Sequence, residues 1–130
     1  MGKFFTIEEM CRSNTARAKK LRNDPDLFIT DNLNYLIDNL LDPIRERFGG
    51  PITVTSGYRN PILNRIVMGS ATSQHLTGEA ADLVCSDNKR LFNLIRESGL
   101  PFDQLIDEEG YSWIHVSLKR SGNRRQILHL

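Results

Sequence analysis

Between Leu33 and Phe48, the apolar residues Leu33, Leu36, Ile37, Leu40, Leu41, Ile44 and Phe48 recur at helical spacing without a gap. So long a stripe has to bury one face of a helix against a second layer, which dictates a packed domain. The spacing predicts a helix over residues 31–48, ended by Gly49-Gly50. Pro43 removes one backbone hydrogen bond inside it. The stripe keeps its phase across the proline, which favours a kink over a restart.

The second layer is legible as strands. Residues 51–56 and 80–84 are β-branched or apolar runs. Residues 104–107 and 112–118 read as a hairpin joined through Glu108-Glu109-Gly110-Tyr111, and 126–128 as an edge strand. Thr6 and Glu9 form a capping box for a short helix over 7–12, with Phe5 and Met10 as its hydrophobic staple. Further short helices are predicted over 13–22 and 60–67, and a longer one over 87–98 stopped by Gly99 and Pro101. Residues 69–78 read as a polar loop. Helices come first and hairpin strands later, so the predicted class is α+β with a small antiparallel sheet in a single domain over residues 1–130.

Composition narrows the function. Seventeen basic and 16 acidic side chains leave a net charge of +1, which argues against a general nucleic-acid binder. Cys11 and Cys85 make no disulfide framework and no CxxC zinc motif, so any metal site must come from His, Asp and Glu. A reduced compartment is the simpler reading of two isolated thiols, with one disulfide left open. No run reaches the roughly 20 apolar residues of a membrane span, and the N-terminus carries no secretory h-region. Synthesis in the cytoplasm is expected, and action outside would need export or release.

Three histidines are available: His75, His115 and His129. In the strand around His115, Trp113, His115 and Ser117 share one face, and Ile114, Val116 and Leu118 share the other. The aliphatic face belongs to the core, which turns His115 toward a cleft or water. Asp82 follows His75 by seven residues inside the apolar run Ala80-Ala81-Asp82-Leu83-Val84. A lone buried carboxylate costs on the order of several kcal/mol, so Asp82 needs a partner. Two neutral imidazoles and one carboxylate around a zinc ion would satisfy all three and leave a fourth position open for water, the pattern of a catalytic site. A surface histidine and a capping aspartate fit the same spacing.

Three strings occur in order: Ser56-Gly57-Tyr58-Arg59-Asn60-Pro61, Ser73-Gln74-His75-Leu76-Thr77-Gly78-Glu79-Ala80-Ala81-Asp82, and Trp113-Ile114-His115-Val116-Ser117. They resemble the signature blocks of the zinc D-alanyl-D-alanine carboxypeptidase and L-alanyl-D-glutamate endopeptidase family. That family cleaves peptidoglycan stem peptides in bacterial cell walls and includes phage endolysins. The segments Leu41-Asp42-Pro43-Ile44-Arg45 and Asn123-Arg124-Arg125-Gln126-Ile127-Leu128 extend the resemblance over most of the chain. It implies a fold shared with the amino-terminal signalling domain of hedgehog proteins, and one Zn2+ ion held by His75, Asp82 and His115. It places Arg59 at the cleft, binding a carboxylate or steadying an oxyanion; the alternative is a structural arginine holding the loop. Ser73 and Gln74 would orient His75 or touch substrate. Tyr58 and Trp113 would be cleft-wall or packing residues.

Much of the family has an acid three residues before the last zinc histidine; here that position is Ser112. One branch has a Glu after a Gln-Leu-Ile strand, which matches Glu108, with Glu109 and Asp107 as rivals and a solvated acidic turn as the plain alternative. A three-residue turn over 109–111 would set Glu108 opposite Ser112. The resemblance implies a zinc metallopeptidase acting on a peptidoglycan stem peptide; separately, a monomer is expected. The alternatives are a zinc-stabilised wall-binding domain without catalysis and a phage structural module. His129 and the basic tail (Lys119, Arg120, Arg124, Arg125) read as solvated surface.

Overall fold

The computed structural model describes residues 2–130. Two short helices, α1 (Ile7–Cys11) and α2 (Asn14–Ala18), open the fold. The Thr6 cap is present: Thr6 Oγ1 accepts from Glu9 N, and Phe5 and Met10 are buried. α2 is shorter than predicted, because Lys20 turns into the left-handed region at φ 56°.

The long helix is built in three parts: α3 (Leu27–Leu36), a π-helical turn (Ile37–Leu41) and α4 (Asp42–Phe48). It starts four residues earlier than predicted, where Asp26 caps Ile29 N. Leu27 and Phe28 are exposed in this first turn and add nothing to the buried stripe, so periodicity alone could not place the start. Pro43 neither breaks nor restarts the helix. The preceding π turn widens the ladder, with Asp42 N bonded to Ile37 O, and the backbone stays right-handed helical at Leu41 and Asp42. All seven stripe residues are buried. Each such side chain contributes about 1.5–3 kcal/mol relative to exposure. Gly49 ends the helix at φ 78°.

The strands are β1 (Ile52–Ser56), β2 (Ala80–Cys85), β3 (Gln104–Glu108), β4 (Trp113–Ser117) and β5 (Gln126–His129). They form one sheet in the order β1-β2-β4-β3-β5. α5 (Pro61–Ile66) and a 3-10 turn (Gln74–Thr77) lie between β1 and β2, and α6 (Asn88–Glu97) follows β2. The α+β class holds, but the sheet is mixed, because β5 runs parallel to β3. The reason lies in the return of the chain. Residues 118–125 leave β4 at the end where β3 begins, turned by paired bonds between Lys119 and Asn123. β5 therefore starts beside Gln104 and follows β3.

The sheet has two unlike faces. Ala81, Leu83, Leu105, Ile114 and Val116 are fully buried in the core with the long helix and α6. Their neighbours in the alternation, Asp82, Ile106, Glu108, Trp113 and His115, point the other way and line a cleft. Cys11 and Cys85 are both free thiols. No described helix is long and apolar enough to cross a membrane.

Candidate metal centre and cleft

Each of the three predicted ligands is delivered by a different element. His75 sits in the 3-10 turn, which Ser73 caps by accepting from His75 N through Oγ. Gly78 ends that turn at φ 77°, and a Cβ there would stand 3.0 Å from Ile29 O, so glycine is needed for both conformation and space. Asp82 lies on β2 and His115 on β4, as direct cross-strand partners. A bulge in β1 between Val54 and Ser56 sits opposite Asp82, the kind of local irregularity that re-aims a side chain beside a site.

The three side chains converge and are buried. His75 Nε2 is 3.3 Å from Asp82 Oδ1, and His115 Nδ1 is 3.0 Å from the same oxygen. His75 Nδ1 donates to Gly57 O at 2.7 Å, which leaves the Nε2 lone pair facing a carboxylate oxygen. Two lone pairs in that relation repel unless a cation or a proton lies between them. Zinc bonds of about 2.0–2.1 Å at tetrahedral angles set ligand atoms roughly 3.3 Å apart, close to the spacings found here. The donor set of two imidazole nitrogens and one carboxylate oxygen fits a zinc ion. Burial pushes the Asp82 carboxyl up. The adjacent His115 and His75 imidazoles outweigh that and hold it well below the ordinary carboxylate range, so it is an anion ready to ligate.

Peptidase M15 is the family whose sequence model matches residues 3–117. The chain belongs to the peptidase M15 family. A comparison with curated proteins finds no match. M15 peptidases are zinc-dependent, and the group that could hold a metal in this member is His75, Asp82 and His115.

The cleft around this M15 site has a volume of about 460 Å³. Arg59, Ser73, Gln74, Glu108 and Trp113 all line it, together with Gln104, Ile106, Arg124, Leu128 and Leu130. Tyr58 does not; it is buried and walls a neighbouring cavity with Arg12 and Leu63. Arg59 is tightly held: Nε donates to Ser56 Oγ at 3.0 Å, Nη1 to Asn64 Oδ1 at 3.2 Å and Nη2 to Asp82 Oδ2 at 3.5 Å. Burial pulls its pKa down, against the opposing pull of Asp82 and Glu108.

The hairpin turn is one residue longer than the three-residue turn that would set Glu108 opposite Ser112. Residues 109–112 form it, and Glu108 pairs with Trp113, not with Ser112. Left-handed backbone at Glu109, Gly110 and Tyr111 and a bond from Ser112 N to Glu108 O close the turn. Glu108 thus shares the His115 face. Asp107 points to the opposite face, bonded to Tyr111 N and to His129. Ser112 Oγ donates to Glu109 O at the turn. Two residues escape motif and spacing: the buried Asp103, which neither singles out and which bonds Gln74 and Arg124, and Arg124, which reads as solvated surface but lines the cleft. Part of the signal is present in the chain: an acid directly before an apolar strand, and an arginine inside the Asn123-Arg124-Arg125-Gln126 string.

Proposed function

We propose that this M15 peptidase hydrolyses a peptide bond in bacterial peptidoglycan stem peptides, as a D-Ala-D-Ala carboxypeptidase or an L-Ala–D-Glu endopeptidase. The observation that carries this reading is the position of Glu108 in the same cleft, and on the same sheet face, as His115.

A bound zinc ion would supply Lewis acidity, polarising the scissile carbonyl and lowering the pKa of a water molecule. Glu108 accepts the proton of the attacking water and passes it to the leaving amine. Arg59 holds the second oxygen of Asp82, and its two unused hydrogens favour charge developing on the carbonyl oxygen. Ser73 fixes the His75 backbone, and the Gly57 carbonyl fixes its ring. Trp113 forms a wall of the cleft.

Ser112, standing where much of the family has an acid, favours the second reading: a zinc-stabilised wall-binding or phage structural module without catalysis. Zinc-loaded protein incubated with stem pentapeptides decides between the two. Release of D-alanine or cleavage at L-Ala–D-Glu is expected. One equivalent of zinc with wall binding and no product would leave the non-catalytic module.

A further inference from the structure

Asp103 is fully buried, and donors converge on it from two directions. Arg124 N and Nε reach Oδ1 at 2.9 and 3.0 Å. Arg124 Nη2 and Gln74 Nε2 reach Oδ2 at 2.7 and 3.0 Å. Lys119 Nζ lies 3.8 Å from Oδ1, so one carboxylate faces two cations and the cluster keeps a net positive charge.

Asp103 grips Arg124 by the Nε/Nη2 edge. The other edge, formed by Nη1 and the second hydrogen of Nη2, has no hydrogen-bond partner among the described residues. The Arg124 side chain is 53% exposed and lines the cleft of His75, Asp82 and His115. A rigid guanidinium with one edge fixed and one edge free is built to take a second carboxylate through two parallel bonds. Arg59 offers less: all three of its nitrogens are engaged and its side chain is 16% exposed. The ladder separates the two ends of the cleft. Glu108 and Trp113 lie one pleat beyond the Ile106–His115 pair, and Gln104, bonded through N to Ser117 Oγ, lies one pleat before it, on the Arg124 side.

We propose that Arg124 presents this free edge to a carboxylate of the peptide substrate, at the end of the cleft opposite Glu108, and that Asp103 positions it there. The proposal rests on the peptidase reading above. The residues matched by the family model, 3–117, do not include Arg124. A stem pentapeptide with lysine at its third position carries two candidate carboxylates: the terminal one of D-Ala-D-Ala and the α-carboxylate of a γ-linked D-Glu.

The test uses three stem pentapeptides: the free acid, its C-terminal carboxamide, and the form with D-isoglutamine in place of D-Glu. Their binding is measured by calorimetry in a zinc-loaded Glu108→Gln background, which slows cleavage. The free acid is expected to bind at least about tenfold tighter than one amidated form, the scale of a charge-assisted hydrogen bond. Arg124→Gln should close that gap by weakening the acid alone, and Arg124→Lys should shrink it. The amidation that matters identifies the carboxylate. Thermal midpoints are recorded alongside; should Arg124→Gln unfold, the lysine variant decides the outcome. Equal affinity for all three forms, a gap untouched by substitution, or no binding at all overturns the proposal. Discriminating binding with no turnover by unmodified protein would sink the peptidase reading and leave Arg124 in place.

Discussion

Asp82 and His115 face each other across the β2–β4 ladder, with Oδ1 of the one 3.0 Å from Nδ1 of the other. The sheet register itself therefore assembles two of the three candidate ligand groups, and the 3-10 turn brings His75 to the same oxygen. Replacing His75, Asp82 or His115 by Ala should reduce zinc from about one equivalent to none, read by elemental analysis. Arg59→Gln should keep stoichiometric zinc but weaken affinity roughly 10–100-fold, the usual effect of losing a group that orients a ligand. Competition with a chromophoric chelator measures this.

The Glu108–Trp113 pairing points to one acid among three. Glu108→Gln should retain zinc and fold while turnover falls about 100- to 10,000-fold, the range for a lost general base. Glu109→Gln and Asp107→Asn should leave turnover within a few-fold, since the first sits in the exposed turn and the second on the far face of the sheet. Steady-state kinetics on matched protein concentrations separates the three.

Asp103 makes stability depend on acid. Its hydrogen bonds with Arg124 come first among the causes that hold its carboxyl down to about 2, against the opposing push of burial. An unfolded Asp titrates near 3.9, so the folded state binds the proton more weakly. The stabilisation is fully present above about pH 4 and is lost as pH falls through about 2. It is expected to be of order 2 kcal/mol. Urea midpoints followed from pH 6 downward should fall across that window in the native chain. Asp103→Asn should start lower and show less of this pH dependence.

Gly57 packs against α1 so closely that a Cβ would fall 2.2 Å from the Met10 carbonyl oxygen. Its own carbonyl holds the His75 ring. Gly57→Ala should therefore cost about 1–3 kcal/mol of stability through overpacking. Zinc affinity should drop with it, because the loop cannot move off α1 and still reach His75 Nδ1. Chemical denaturation and chelator competition on the same preparation would reveal both effects.

Local chemistry is readable wherever a short stretch decides its own conformation. The Thr6 cap, the buried stripe through Phe48, the left-handed end at Gly49 and the inward faces of α6 and β4 all follow from spacing and residue type. The approach of His75, Asp82 and His115 is legible through the ordered strings around them, and the fold brings them together. Three features are settled only in the tertiary structure: the four-residue turn that sets Glu108 across from Trp113, the parallel docking of β5, and the capture of Arg124 by Asp103. Each depends on which distant groups meet, and pairing register and buried charge partners are set by packing across the whole chain. Periodicity and caps report a few neighbouring residues, so they carry the elements; long-range contact chooses what those elements present to the cleft.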